Sequence, residues 1–241
     1  MYNNTLSANV ATPKSTPLWL AIIISILLIN LPGFFTALLG PIFMPALPLA
    51  MQHIFNLSVF LLCPVAVFGM LAQYQKINAA QCSALLGLSE KPSLQSCAIA
   101  GVSGVAVTLI GGVLAYLLGQ HTEQSGLNLM ASHTSLLGMI SLFVMIVIAS
   151  PLLEETVFRG WLWQLASQTR LGPFGAALVT SLIFTMLHIT PSVQSVSLLS
   201  IFSIAMIAAW MRHHYHSLWP AIVLHSVFNA CQFIGLLWIT A

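Results

Sequence analysis

Charged side chains are scarce in this sequence, and their scarcity excludes a water-soluble globular protein. The 241 residues include six Lys or Arg and four Asp or Glu, which together make up 4% of the chain. Ordinary soluble domains contain roughly 25% charged residues. The cations form no basic stripe, so the chain lacks the electrostatic surface on which nucleic-acid binding depends.

Cysteines are also few, and their spacing indicates neither a zinc site nor a disulfide framework. The four cysteines include no CxxC pair. Cys63 and Cys231 lie within apolar runs, where we expect them to pack as small hydrophobic side chains.

Long apolar runs are what the sequence has in abundance. Hydrophobic residues make up 59% of the chain, and the mean hydropathy is +0.98. Because backbone in lipid must satisfy its own hydrogen bonds, each run of about twenty residues predicts a membrane-spanning helix. We therefore predict an all-α, polytopic transmembrane helical bundle of seven or eight helices, with a polar tail at 1–16 and a single domain at 17–241. The candidate spans are 17–39, 54–73, 97–119, 135–167, 174–190, 194–211 and 218–239, and the proline-rich stretch 41–51 could add an eighth crossing or a re-entrant piece.

The basic residues between the spans predict an orientation. With seven crossings and a cytoplasmic amino terminus, the 120–134 loop, which carries Glu123 and no Lys or Arg, falls outside the cell. The opposite side then holds Lys14, Lys76, Lys91, Arg170 and Arg212. This is the positive-inside pattern. We predict an integral membrane protein with a cytoplasmic amino terminus, and the short loops favour a bacterial inner (cell) membrane.

Half of the acidic residues lie together inside the span predicted at 135–167. A charged side chain in hydrocarbon is costly, so these acids are candidates for a functional site. Arg159 follows Glu155 by one helical turn and is predicted to pair with it, whereas Glu154 points about 100° away and is free to face another group. The tryptophans that follow indicate that the helix has not yet left the membrane at Arg159.

Two later spans carry polar groups at helical spacing. His188 follows Phe184 by four positions, and Asn229 follows His225 by four, so each pair shares a helix face. A lone histidine on an apolar helix is more often a hydrogen-bonded core residue than a catalyst. Three helices that each carry a polar group favour one shared, water-filled site, since unpaired polar groups in lipid must converge.

Three short motifs in this region resemble those of a known family. EETVFR at 154–159, FTMLH at 184–188 and HSVFN at 225–229 are similar, in order and spacing, to the EExxxR, FxxxH and HxxxN or HxxxD motifs of the CAAX-protease and bacteriocin-processing family of intramembrane proteases, also called the Abi family. The resemblance covers the core from about 135 to 232 and implies endopeptidase activity inside the membrane.

The resemblance also implies roles for single residues. Glu154 and His188 would activate a water molecule, and His225 with Asn229 would bind the oxyanion of the tetrahedral intermediate. A carboxylate in an apolar pocket, with imidazole and carboxamide donors nearby, is sufficient chemistry for this reaction. Our further hypothesis is that Glu155 and Arg159 brace the helix and tune the electrostatics around Glu154.

Metal dependence is left open by the residue types. Two His and two Glu side chains are reasonable zinc ligands. We favour a metal-free mechanism without a cofactor, because the sequence contains no HExxH or other compact zinc signature, and Asn229 suits an amide donor better than a ligand.

Two other functions stay open beside the protease. The expected partners are membrane lipid and a peptide or lipidated protein substrate, and a prenylated protein is one candidate. One rival function is a proton-coupled membrane transporter that uses the same Glu, Arg and His side chains as a relay, although no paired repeat supports it. The other is a non-catalytic, immunity-type membrane protein.

Overall fold

The computed structural model describes residues 15–120, 135–191 and 193–240. Lys14 and residues 121–134, which include Glu123, lie outside the described residues, and the predicted orientation rests partly on them. The predicted all-α fold is confirmed in the described ranges. Its helices are α1 (Leu18–Ile29), α2 (Leu31–Phe43), α3 (Leu49–Gln75), α4 (Ala79–Leu86), α5 (Leu94–Leu117), α6 (Leu136–Ser167), α7 (Gly172–Met186), α8 (Ser195–Tyr215) and α9 (Trp219–Thr240).

The number of membrane spans is close to the prediction but not equal to it. Among the described residues, five helices are long and apolar enough to cross a membrane, namely α3, α5, α6, α8 and α9. α1 and α2 form a sixth candidate, bent by 42°. α7 has 15 residues, about 22 Å, which is shorter than the roughly 30 Å of bilayer hydrocarbon. The 41–51 stretch is divided among the end of α2, a 3-10 turn at Met44–Ala46 and the start of α3, so it adds no separate crossing.

Contacts between helix ends show how the chain runs through the bundle. At the end of α5, Gln120 Nε2 donates a hydrogen bond of 2.8 Å to Ser195 Oγ at the start of α8. Beyond the opposite ends of the same two helices, Ser217 Oγ donates to the Glu90 carbonyl oxygen over 2.9 Å. α5 and α8 are therefore antiparallel.

The ends of α3, α6 and α8 lie together, and we call this the basic end of the bundle. The Arg212 guanidinium, near the end of α8, lies 5.8 Å from the ring centre of Trp163 in the last part of α6. The Tyr74 ring, near the end of α3, lies 6.1 Å from that of Trp161. Basic residues lie at or just after these helix ends and in the turn between α4 and α5. They are Lys76, Lys91, Arg170 and Arg212.

The two ends of the described chain lie at opposite ends of the bundle. Thr16, before α1, shares a hydrogen bond of 3.1 Å with the Tyr74 hydroxyl at the basic end. In the second half of α9, the Phe233 ring lies 5.4 Å from Phe143 in the first part of α6. This arrangement agrees with the predicted topology, while the side that faces the cytoplasm stays a prediction.

α6 positions the charged cluster, and its helical register changes twice. π-helical segments at Val144–Ala149 and Thr156–Leu162 flank a short α-helical stretch at Ser150–Glu155. Pro151 has no N–H to donate to the preceding turn, which loosens the helix there, and π-helical insertions are frequent at functional sites. Every residue from Glu155 to Trp163 is buried, so the charged turn lies inside the bundle.

Candidate active site

Glu155 and Arg159 form the predicted intrahelical ion pair. Arg159 Nη1 donates to Glu155 Oε1 over 3.0 Å, and both side chains are at most 1% exposed. The guanidinium carbon also lies 4.6 Å from the ring centre of Phe184 on α7, which is within cation–π distance. The charge of Glu155 is thus matched inside the protein by a cation on its own helix.

His225 joins this ion pair from α9, and spacing along the chain gives no sign of that contact. Its Nδ1 lies 2.9 Å from Glu155 Oε1. An ionised carboxylate only accepts hydrogen bonds, so we assign the proton to Nδ1, which donates to Glu155. The two residues are 70 positions apart, and helical periodicity reports only on neighbours within one helix.

Glu154, predicted to be free to face another group, approaches the same His225 ring that Glu155 binds. Its Oε2 atom lies 3.8 Å from Nε2 of His225. The same oxygen is buried and has no hydrogen-bond partner among the residues that the structure describes. A buried polar atom without a partner is expensive, so this position is suited to a water molecule or a substrate group.

His188 lies just beyond the end of α7, whereas the sequence predicted a helical span as far as residue 190. α7 ends at Met186, and the His188 N–H bonds to the Thr185 carbonyl oxygen. His188 Nδ1 lies 2.8 Å from the Phe184 carbonyl oxygen, which only accepts, so we assign the proton to Nδ1, and Nε2 of the neutral ring is then an acceptor. The predicted closeness of His188 and Phe184 is confirmed, with ring centres 4.6 Å apart. Four-residue spacing fits a helix and a helix end equally well, which explains the error.

Asn229 connects α9 to the loosened part of α6. Its Nδ2 donates to the Ile146 carbonyl oxygen over 2.9 Å, within the first π-helical segment. The second N–H of the same amide has no partner among the described residues. The carboxamide is thereby fixed in place with one donor still available.

Four of the predicted site residues come together, as expected. They line one cavity of about 240 Å³, which we call the catalytic cavity, and they are Glu154, His188, His225 and Asn229. Glu155 and Arg159 do not line it and are connected to it through His225. The roles of all six residues stay predictions.

Ser150 lines the same cavity, and sequence reasoning did not single it out. It precedes Glu154 by four residues on α6, and this spacing is the signal that would have found it. Serine is common in apolar helices, where its hydroxyl bonds the backbone one turn earlier, so the signal is weak.

The described residues offer no clear metal centre. Among residues 15–120, 135–191 and 193–240, no group of three or more His, Cys, Asp or Glu side chains is arranged to hold a metal ion. The site consists of hydrogen-bond donors and acceptors around a cavity.

One cavity of this helical membrane bundle is lined by a carboxylate, two imidazoles and a carboxamide. These groups are suited to hydrolysis within the membrane. Comparison with known proteins agrees with an intramembrane hydrolase. Residues 136–231 match the family described as type II CAAX prenyl endopeptidase Rce1-like. The matched stretch runs from the start of α6 into α9 and includes all six candidate residues. The resemblance to CAAX proteases is confirmed over this stretch, and the family supports an intramembrane protease in general. Neither a curated protein nor a solved structure matches the chain significantly.

Proposed function

We propose that this protein is an intramembrane endopeptidase that hydrolyses a peptide bond with water activated by Glu154 and His188. The observation that carries the proposal is the catalytic cavity, which both side chains line. Glu154 Oε2 lacks a hydrogen-bond partner among the described residues, and His188 Nε2 is an acceptor because Nδ1 donates to the backbone. A water molecule held between two such acceptors can lose a proton to one of them as it attacks a carbonyl carbon.

His225 and Asn229 supply the hydrogen-bond donors for the oxyanion in this proposal. His225 Nδ1 is committed to Glu155, so Nε2 can donate only when the ring is an imidazolium. With Glu154 and Glu155 ionised, an imidazolium at His225 and the Arg159 guanidinium make the buried cluster neutral. The cluster is also neutral when the proton is on Glu154 and the His225 ring is uncharged. The proton can therefore move between Glu154 and His225 without creating net charge in the interior.

The bond changes of the proposed reaction follow from this arrangement. Glu154 takes a proton from water as the water oxygen bonds to the substrate carbonyl carbon. His225 Nε2–H and the free N–H of Asn229 stabilise the negative charge on the carbonyl oxygen. The proton then passes to the leaving nitrogen as the C–N bond breaks, and the products are a carboxylic acid and an amine. Glu155 and Arg159 position His225 without touching the substrate.

We propose a peptide or lipid-modified protein segment as the substrate. Residues 136–231 match a family described as type II CAAX prenyl endopeptidase Rce1-like, and that description supports a substrate held at the membrane. We further propose that the basic end faces the cytoplasm of a bacterial cell and that the reaction needs no metal.

The decisive experiment uses the purified full chain in lipid nanodiscs with a panel of prenylated and plain peptides, and mass spectrometry identifies the cleavage sites. We expect cleavage by the wild type and its loss in Glu154→Ala and His188→Ala. Matched controls are Glu90→Ala and His214→Ala, because both side chains are exposed and line no cavity near the site. Proton-coupled uptake into liposomes without cleavage of any peptide would contradict the proposal and support a transporter.

A further inference from the structure

A second cavity of about 180 Å³ borders the same catalytic side chains. It shares Glu154, Phe184 and His188 with the catalytic cavity, and its other lining residues are Ile29, Asn30, Phe158 and Leu187. The proposed hydrolysis makes no use of this second cavity. Each cavity is smaller than the roughly 300 Å³ at the lower end of the range for ligand sites, whereas the two together fall within it.

Asn30 is a polar residue that lines the second cavity but not the catalytic cavity. It lies at the break between α1 and α2. The break has a clear cause, because Pro32 lacks the N–H that would continue the helix and restricts the residue before it. Apolar helices flank the break on both sides, ILLI before it and LPGFF after it. A polar side chain at such a position in a span is expected to face a cavity or a partner.

The hydrogen bonds of Asn30 leave one strong acceptor unused. Its Nδ2 donates to the Ile26 carbonyl oxygen over 2.7 Å, which fixes the orientation of the amide. No residue that the structure describes donates a hydrogen bond to its Oδ1 atom. An amide oxygen without a donor is costly in an apolar environment, and the missing partner is a group that carries an N–H or O–H.

We propose that the second cavity binds the stretch of substrate peptide next to the scissile bond, and that Asn30 Oδ1 accepts a hydrogen bond from a backbone N–H of that stretch. A peptide must extend to both sides of the bond that is cut, and both cavities border Glu154 and His188. A substrate backbone in lipid carries N–H groups that need acceptors. This inference rests on the proposed function and makes Asn30 a substrate-binding residue.

The first test is the kinetics of Asn30→Ala in nanodiscs. We expect KM to rise by about 2- to 12-fold, the range for one net hydrogen bond, with kcat within about twofold of the wild type. The matched control is Ser58→Ala, because Ser58 is also an exposed polar residue on an apolar helix that bonds the carbonyl four residues earlier, at 2.8 Å, and it lines neither cavity. An unchanged KM in Asn30→Ala, or an equal rise in Ser58→Ala, would overturn the inference.

A scan of the substrate backbone identifies the bond itself. Peptides in which one backbone N–H at a time is replaced by an ester oxygen are bound to Glu154→Gln protein, and fluorescence anisotropy gives the affinity without any turnover. We expect one ester position to weaken binding by the factor that Asn30→Ala produces, and to have no further effect once Asn30 is replaced. If Asn30→Ala fails to fold, the ester scan is carried out on Glu154→Gln protein that retains Asn30. Equal affinities for all ester positions would then contradict the inference.

The outcomes separate this inference from the proposed function. Cleavage of peptides with no effect of Asn30→Ala would leave the protease standing and remove the binding role. Position-specific, Asn30-dependent binding in a protein that cleaves nothing would keep the binding site and refute the protease.

Discussion

At the scale of single residues, one interaction decides what His225 can do. The Glu155 carboxylate accepts from Arg159 Nη1 at 3.0 Å and from His225 Nδ1 at 2.9 Å. Glu155 therefore connects a permanent cation to the imidazole that lines the catalytic cavity. If His225 stabilises an oxyanion, Glu155 is the carboxylate that holds its ring in position and offsets positive charge there.

Glu155→Gln tests this coupling. The neutral amide keeps the size of the side chain but removes the charge that favours the imidazolium, and a charged hydrogen bond contributes about 1.5–3 kcal/mol. We expect kcat to fall by roughly 10- to 100-fold with little change in KM, although Glu155 does not line the cavity. A wild-type rate in Glu155→Gln would refute the coupling.

Metal removal is a second test at this scale. Because Glu154 and His188 are proposed to activate water directly, dialysis against a strong chelator should leave the cleavage rate within about twofold of the untreated protein. The readout is the rate before and after dialysis, with added zinc as a further sample. Loss on chelation and recovery with zinc would show that the metal-free mechanism is wrong.

At the scale of helices, the position of α9 depends on its close approach to α5. A methyl group at Gly104 of α5 would lie 2.8 Å from the Leu224 carbonyl oxygen and 3.2 Å from the Phe228 nitrogen. Both are backbone atoms of α9, which cannot yield in the way that a flexible side chain can. The same stretch of α9 carries His225 and Asn229 into the catalytic cavity.

Gly104→Ala should therefore damage both stability and activity. We expect it to push α9 from α5 at a cost of about 1–3 kcal/mol, the usual range for overpacking, with a lower Tm and slower cleavage. Gly112→Ala is the matched control on the same helix, because nothing lies within 4 Å of a methyl group there. Equal Tm values for the two variants would contradict the packing argument.

Helical periodicity explains which contacts the sequence could predict. The Glu155–Arg159 pair follows from positions on one helix and is found in the structure, whereas both glutamates approach the same His225 ring. The contact of His225 with Glu155 joins two helices, and the end of α7 before His188 depends on its surroundings. Asn30 escaped notice because the first third of the chain offers apolar residues without a motif, so the cavity beside it became visible only in three dimensions.

At the scale of the whole molecule, four of the described basic residues gather at one end of the bundle, and they are Lys76, Lys91, Arg170 and Arg212. The start of the described chain lies at that end, beside Tyr74, and α9 finishes at the other. The positive-inside rule then predicts a cytoplasmic amino terminus and an external carboxyl terminus.

Reporter fusions at the carboxyl terminus check this orientation. Alkaline phosphatase, which is active only outside the cytoplasm, should be active when it is fused after Ala241. Green fluorescent protein fused at the same position should not fluoresce, because it would lie outside the cytoplasm. Expression levels on immunoblots serve as the control. A bright fluorescent fusion with an inactive phosphatase would reverse the predicted orientation.

The central claim is that Glu154 takes the proton from the attacking water. Glu154→Gln keeps the shape of the side chain and removes the base. The measurement is the cleavage rate of one peptide substrate by this variant and by the wild type in identical nanodiscs. The Tm and the peptide Kd of both proteins are measured alongside. The account predicts a fall in kcat of about 10²- to 10⁴-fold, the usual contribution of a general base, with Tm and Kd unchanged. A Glu154→Gln protein that cleaves within tenfold of the wild-type rate would contradict it.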